Sequence, residues 1–358
     1  MKIKKLFIPG PTQVHPEVLS KMGTPMIGHR TKEASILQRD ITDKLRKLMF
    51  TGNKIILSTS SGTGLMEGAI RSATEKKAIV FAVGAFGKRW WELARLNGID
   101  ADLHEEKPGY ATMPETVDAY LKSGKYDTVT ITHNETSTGL GNPIESISEV
   151  MEKYPDVVWM VDAVSSLGGV KIDTDRLGID VLISSSQKAL ALPPGLSIAS
   201  VSKKAESRFE KLGERGYYLD FKTLLQFIDK KDHQYHCTPS LPHMFALDYQ
   251  LDRIIKEGIE NRFIRHMECA EYTINWANHF FKTLPQPGFE SMTVTCIENT
   301  RKISVSDLNE KLAERGMVIS NGYGELKEKT FRIAHMGELN LDDMTEVTEA
   351  IEDILNLK

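Results

Sequence analysis

Lys188 stands in the run Ser184-Ser185-Ser186-Gln187-Lys188, just past a short apolar stretch and ahead of Pro193-Pro194-Gly195. Partial burial there would lower the amine's pKa from its ordinary ~10.4 and make it nucleophilic, as a Schiff-base lysine requires. Taken alone, a solvated loop lysine is the plainer reading. Asp162 closes the run 157–161 and precedes Ala163-Val164-Ser165-Ser166. A carboxylate buried at such a place needs a cationic partner; an Asx turn is its plainer use. Ser61-Gly62-Thr63-Gly64 lies between an apolar run and a helical pattern. Free amides and hydroxyls at a helix start form an anion site, and a glycine-rich turn is the alternative. Phe86, after the run 78–83, could stack on a flat heterocycle or pack into a core. Arg332, in Thr330-Phe331-Arg332-Ile333, could clamp a carboxylate or face solvent on a strand.

Together these residues supply an amine that can condense with a carbonyl, a carboxylate, a phosphate cup, a stacking ring and a carboxylate clamp. That set is what a pyridoxal phosphate enzyme needs. His233, His236, Cys237 and His243 cluster in sequence, but their spacing fits no common zinc pattern, and no metal is expected.

The elements that must position these groups alternate between strand-like and helix-like. Short Val- and Ile-rich runs fall at 55–57, 78–83, 128–132, 157–161 and 181–183. They are nearly continuous rather than alternating, which suits strands buried on both faces of a mostly parallel sheet. The run 196–201 is expected to turn back antiparallel. Helical patterns cover 65–74 and 87–97. Ligands of open α/β sheets bind at the carboxyl ends of the strands, where these runs deliver Ser61, Thr136, Asp162 and Lys188. Beyond residue 250 the pattern predicts a long helix over 251–281, strands near 292–297 and 330–333, and helices over 306–315 and 341–355. The expected organisation is an N-terminal extended segment (1–20), a large α/β domain (21–255) and a smaller C-terminal α+β domain (256–358).

The 358 residues are 41% hydrophobic and 26% charged, an ordinary globular balance that argues against disorder. A net charge of −4 offers no basic excess for nucleic acid. Three dispersed cysteines suggest no disulfide framework. No run is apolar for the ~18 residues of a membrane span, and the N-terminal apolar stretch is too short for a secretory leader. A cytoplasmic location away from membranes is the expectation.

Several stretches, in order, extend over nearly the whole chain: Pro9-Gly10-Pro11-Thr12, Gly28-His29-Arg30, Ser61-Gly62-Thr63-Gly64, His133-Asn134-Glu135-Thr136-Ser137-Thr138-Gly139, Val161-Asp162-Ala163-Val164-Ser165-Ser166, Ser186-Gln187-Lys188, Tyr235-His236-Cys237-Thr238 and Phe331-Arg332-Ile333. In these the chain resembles the class V, fold type I aminotransferases, particularly the alanine–glyoxylate and serine–pyruvate branch. The resemblance implies a mostly parallel seven-stranded-type sheet and transamination of a small L-amino acid to a 2-oxo acid by a ping-pong mechanism. It also implies pyridoxal 5'-phosphate as cofactor, with Lys188 carrying it and then shuttling the substrate proton. Asp162 would hold the ring nitrogen protonated. Gln187 and Thr136 would bond polar groups around the ring. Val164 and Phe86 would cover its faces; relatives often carry tryptophan at the Phe86 position. Ser61, Gly62 and Thr63 would cradle the phosphate. Tyr235 and Thr238 would reach the neighbouring subunit's phosphate site in a homodimer. Arg332, with Gly10 beside it, would receive the substrate.

Alternatives keep the scaffold and change the chemistry. Aspartate or phosphoserine could be the donor, the latter needing extra cations, for which His29, Arg30 and His335 are candidates. A cysteine desulfurase-like lyase would need a nucleophilic cysteine on a Ser/Gly-rich loop, which neither Cys237 nor Cys296 has. A dehydrogenase lacks its glycine spacing. A non-catalytic protein would have little reason to hold Lys188, Asp162 and Arg332 together.

Overall fold

The computed structural model describes residues 4–357. Its centre is a seven-stranded sheet in the order Lys54–Ser58, Ser197–Val201, Val181–Ser185, Val158–Asp162, Thr128–Thr132, Ala78–Ala82, Ala101–Glu105. Neighbouring strands are parallel, except that Ser197–Val201 runs antiparallel to both its neighbours. All five inner strands are buried along their whole length, which explains why their sequences do not alternate. Helices Lys32–Met49, Gly62–Ala73, Ala85–Leu96 and Ile144–Met151 are amphipathic and bury one face in the same core, for example Leu45, Leu65, Trp90 and Ile147. Because the strands before Ser61, Phe86, Thr136 and Lys188 point the same way as the strand ending in Asp162, all five residues reach one rim.

A five-stranded sheet forms the second body, in the order Lys5–Phe7, Met317–Asn321, Thr330–Ala334, Val294–Glu298, Lys282–Thr283. It packs with helices Ile259–Phe280, Val305–Glu314 and Leu341–Leu355 around a second core that includes Trp276, Phe281, Leu312, Phe331 and Val347.

Three expectations need correction. The segment 1–20 is not simply extended: Lys5–Phe7 pairs parallel with Met317–Asn321, and a helix begins at Pro16. Residues 1–3 of that segment, like Lys358, lie outside the described residues. The long helix over 251–281 is two helices, Leu241–Glu257 and Ile259–Phe280, broken at Gly258. Gly258 adopts φ +92°, a backbone that favours glycine. Helix Ile259–Phe280 starts against the large core through Phe263 and ends in the small one at Trp276 and Ala277, so the bodies share an element rather than part at one residue. Strands Ala101–Glu105 and Met317–Asn321 escaped the sequence pattern. The first is only partly buried, and the second alternates weakly.

Candidate active site

Ser61, Gly62, Thr63, Phe86, Thr136, Asp162, Val164, Gln187 and Lys188 line one cavity of about 130 Å3, together with Met66, Arg89, Asn134, Ser165 and Ser185. A wider cleft of about 680 Å3 runs past Tyr249, Arg253 and Arg265. Its charges already satisfy one another, as in Arg253–Glu338, Arg262–Glu257 and Arg265–Glu257. The free chemistry is in the smaller cavity.

Lys188 lies in the turn after Val181–Ser185 and is 9% exposed. Burial first, and then the Arg332 charge, push its amine down to about 8. Its Nζ donates to the Pro9 carbonyl. Gly10, at φ +91°, makes room for it: a Cβ there would stand 2.6 Å from Lys188 Cδ. Arg262 pins the turn from behind, donating to Ala189 O at 2.7 Å, Gly168 O at 2.9 Å and Gly337 O at 3.1 Å.

Asp162 is buried, and its Oδ1 accepts from Val164 N at 2.8 Å. Burial pushes its carboxyl up to about 7, Glu135 adds to that, and Lys188 and Arg89 pull against it. No salt bridge reaches Asp162 among the described residues. A carboxylate in this position lacks the cationic partner that would keep it ionised.

Two helices begin at the rim, and they differ. Helix Gly62–Ala73 starts at Ser61 with no side-chain cap, leaving its first amides open to an anion. Gly62 is pressed against Val164, whose Cγ2 would lie 2.6 Å from an added Cβ. Helix Ala85–Leu96 is closed. Glu135 Oε2 accepts from Phe86 N (3.0 Å) and Gly87 N (2.9 Å). Its Oε1 accepts from Ser137 N (3.0 Å) and Oγ (2.5 Å), and Ser137 Oγ accepts from Ala85 N (3.0 Å). Burial pushes the Glu135 carboxyl up, and these donors oppose the shift. The buried carboxylate therefore fills one helix start and holds the backbone of Phe86, while the other start faces the cavity.

Thr136 is buried, with Oγ1 2.5 Å from Ser165 Oγ, and its carbonyl accepts from Arg332 Nη1 at 3.0 Å. Arg332 Nε and Nη2 both donate to Asn321 O, at 3.2 and 3.0 Å. Three of its five N–H groups are thus taken, leaving one on each terminal nitrogen for a carboxylate.

Tyr235 and Thr238 do not join this cavity. They line a separate one of about 20 Å3 with Ser58 and Thr59. The Tyr235 hydroxyl turns inward, accepting from Leu57 N at 2.9 Å and meeting Gln38 Nε2 at 2.6 Å. Arg30 donates to the carbonyls of Tyr235 and His236, and His335 is buried against Thr295, so neither lines the Lys188 cavity. The four clustered residues near 240 do not converge: His243 binds Pro194 O and Ser240, and His236 sits among Tyr217, Tyr218 and Phe227.

Sequence reasoning missed Arg89 and Ser185 on the cavity wall and Glu135 behind it. Arg89 places its guanidinium 4.8 Å from the Phe86 ring centre and 3.4 Å from Thr63 Oγ1. Its spacing from Phe86, one helical turn, was a usable signal. Glu135 could have been suspected as a carboxylate three residues past a buried strand.

The chain matches the model of the family described as Aminotransferase class-V over residues 6–326. It belongs to the class-V aminotransferases. It is 38% identical to an uncharacterized aminotransferase of Methanocaldococcus jannaschii, over 93% of this chain and 88% of that one. It is 31% identical to the alanine–glyoxylate aminotransferase of Oryctolagus cuniculus, over 92% of this chain and 86% of the relative. The crystal structure of an alanine–glyoxylate aminotransferase from Nostoc sp. superposes with a TM-score of 0.93 at 27% identity, covering 99% of this chain and 96% of the other. The protein is an aminotransferase, and membership of this class implies dependence on pyridoxal phosphate.

This aminotransferase's cavity fits that group. An uncapped helix start suits a phosphate, and Asp162 lacks a cation. Ser185 Oγ is buried on the cavity wall without a partner. Among the described residues no helix is long and apolar enough to cross a membrane.

Proposed function

We propose that this chain moves the amino group of a small L-amino acid, serine or alanine, to a 2-oxo acid, glyoxylate or pyruvate, in two half-reactions at one site. The observation that carries this reading is the meeting of Lys188, Asp162 and the open helix start at Ser61 around one small cavity, with Arg332 tied to its wall through Thr136. When bound, pyridoxal phosphate supplies an electron sink for the bond broken at the donor's Cα. The chain's own residues do the rest. Ser61, Gly62 and Thr63 would hold the phosphate, Asp162 would keep the ring nitrogen protonated, and Phe86 and Val164 would cover the ring. Arg332 would orient the donor by its carboxylate. The Lys188 amine, already pushed down to about 8, can hold and return the proton that leaves Cα near neutral pH.

Support for a small donor comes from relatives whose names pair alanine with glyoxylate. The reading extends to a homodimer in which segment 235–238 serves the partner subunit's phosphate site. Thr238, exposed at the end of that segment, is free to do so, whereas the Tyr235 hydroxyl is turned into its own chain. Steady-state rates with L-serine, L-alanine, L-aspartate and L-phosphoserine against glyoxylate and pyruvate test the donor class. The expected result is parallel double-reciprocal lines, with serine or alanine giving the highest kcat/KM. A higher value for aspartate or phosphoserine overturns the proposed donor class.

A further inference from the structure

The loop 322–329 ends one residue before the strand that carries Arg332, and it is built as a rigid arm. Asn321 Oδ1 accepts from Gly322 N and Glu328 N, both at 2.8 Å, and Asn321 Nδ2 donates to Glu328 Oε1 at 2.5 Å. Glu328 in turn accepts from Val305 N and Ser306 Oγ, each at 2.8 Å. Gly322 leaves no space for a side chain, since a Cβ would stand 2.0 Å from Leu326 O. The carbonyl of the same Asn321 receives two N–H groups of Arg332. One residue therefore fixes both the carboxylate clamp and the arm.

What the arm presents is Tyr323. Its ring centre lies 5.5 Å from that of Phe86, tilted by 42°, and 5.7 Å from the Arg332 guanidinium carbon. Phe86 in turn has its ring centre 5.9 Å from Lys188 Nζ. Tyr323 keeps 39% of its surface exposed, so its ring borders the Phe86 wall and the Arg332 clamp from the solvent side rather than lying in a core. A donor whose carboxylate sits on Arg332 and whose amine points to Lys188 must place its side chain in the remaining direction.

We propose that Tyr323 is the outer wall of the donor subsite and sets the size of the side chain admitted. The inference rests on the transaminase reading above and sharpens it. Alanine and serine fit inside the wall, and leucine or phenylalanine meet the ring. Tyr323 acts on selection among donors, not on cofactor binding or on the proton transfer at Cα.

The test compares holoenzyme with Tyr323→Ala and Tyr323→Phe. Rates of the first half-reaction are read with L-alanine, L-serine, L-leucine and L-phenylalanine. A methylene group more or less in an apolar pocket changes discrimination by roughly 10–200-fold. Tyr323→Ala is therefore expected to raise kcat/KM for leucine and phenylalanine relative to alanine by at least ~10-fold, chiefly through KM. Tyr323→Phe keeps the ring and should keep the ratio. Cofactor affinity, read by fluorescence quenching, and the melting temperature should match the unsubstituted protein in both variants. Equal scaling of all four donors by Tyr323→Ala would overturn the proposal while leaving the transaminase reading intact. Failure of the unsubstituted holoenzyme to convert any donor would overturn both.

Discussion

Replacing Asp162 by asparagine should stabilise the cofactor-free protein above neutral pH and weaken its hold on the cofactor. Burial raises the Asp162 carboxyl from its ordinary value to about 7. A raised acid binds more protons in the folded than in the unfolded chain between roughly pH 4 and pH 7. Its contribution to stability is complete below that window and is lost as pH climbs through it. A shift of this size corresponds to about 4 kcal/mol in total, of which roughly 2–3 kcal/mol falls between pH 5 and pH 8. Asparagine is nearly isosteric, can still accept from Val164 N, and does not titrate. Urea unfolding of both apo proteins across that range should show Asp162→Asn gaining about 2–3 kcal/mol relative to the unsubstituted chain as pH rises. Once cofactor is added the order should reverse, because a charge-assisted hydrogen bond worth about 1.5–3 kcal/mol is missing. Parallel pH profiles for the two apo proteins would refute the claim that Asp162 is a buried carboxylate waiting for a cation. Equal cofactor affinities would refute the assignment of that cation.

Glu135→Gln sets an amide donor against either the Phe86 and Gly87 N–H pair or the Ser137 N–H, at a cost of about 1–3 kcal/mol in urea unfolding. Glu135→Asp, too short to span Phe86 and Ser137 together, should rescue little; full stability in both variants would contradict the capping role. Gly10→Ala should displace Lys188, because φ is +91° and the new Cβ meets Lys188 Cδ at 2.6 Å. The expected outcome is at least ~10-fold slower proton transfer from Cα, read as a substrate deuterium isotope effect on the half-reaction. Lys188→Ala should abolish the covalent attachment seen by borohydride reduction and mass spectrometry, and lower turnover by more than the ~10²–10⁴-fold assigned to general acid–base catalysis alone.

The strand ends were the legible part of this chain. Lys188, Asp162, Thr136 and Ser61 each follow a short apolar run, and parallel pairing sends such ends to one rim by geometry alone. The break at Gly258 had a signal, a glycine inside an otherwise helical pattern, which the apolar periodicity on both sides obscured. Arg89 was legible only once Phe86 was placed on a helix, since the two share a face one turn apart. Tyr323 was not legible. Its position depends on Asn321 and Glu328 closing a loop, and on Phe86, more than two hundred residues away in the chain, meeting it in space. Tyr235 shows the same limit. Its inward hydroxyl is set by Gln38 and Leu57, contacts that no local pattern announces.

The most direct test of the central claim is a single-turnover experiment without acceptor. The protein is reconstituted with pyridoxal phosphate and mixed with L-alanine or L-serine, and its absorbance spectrum is followed while the released 2-oxo acid is counted. The expected result is loss of the visible band of the Lys188-bound cofactor, release of one 2-oxo acid per site, and return of the band when glyoxylate or pyruvate is added. Release of ammonia with the visible band retained, or a spectrum that no amino acid changes, would contradict it.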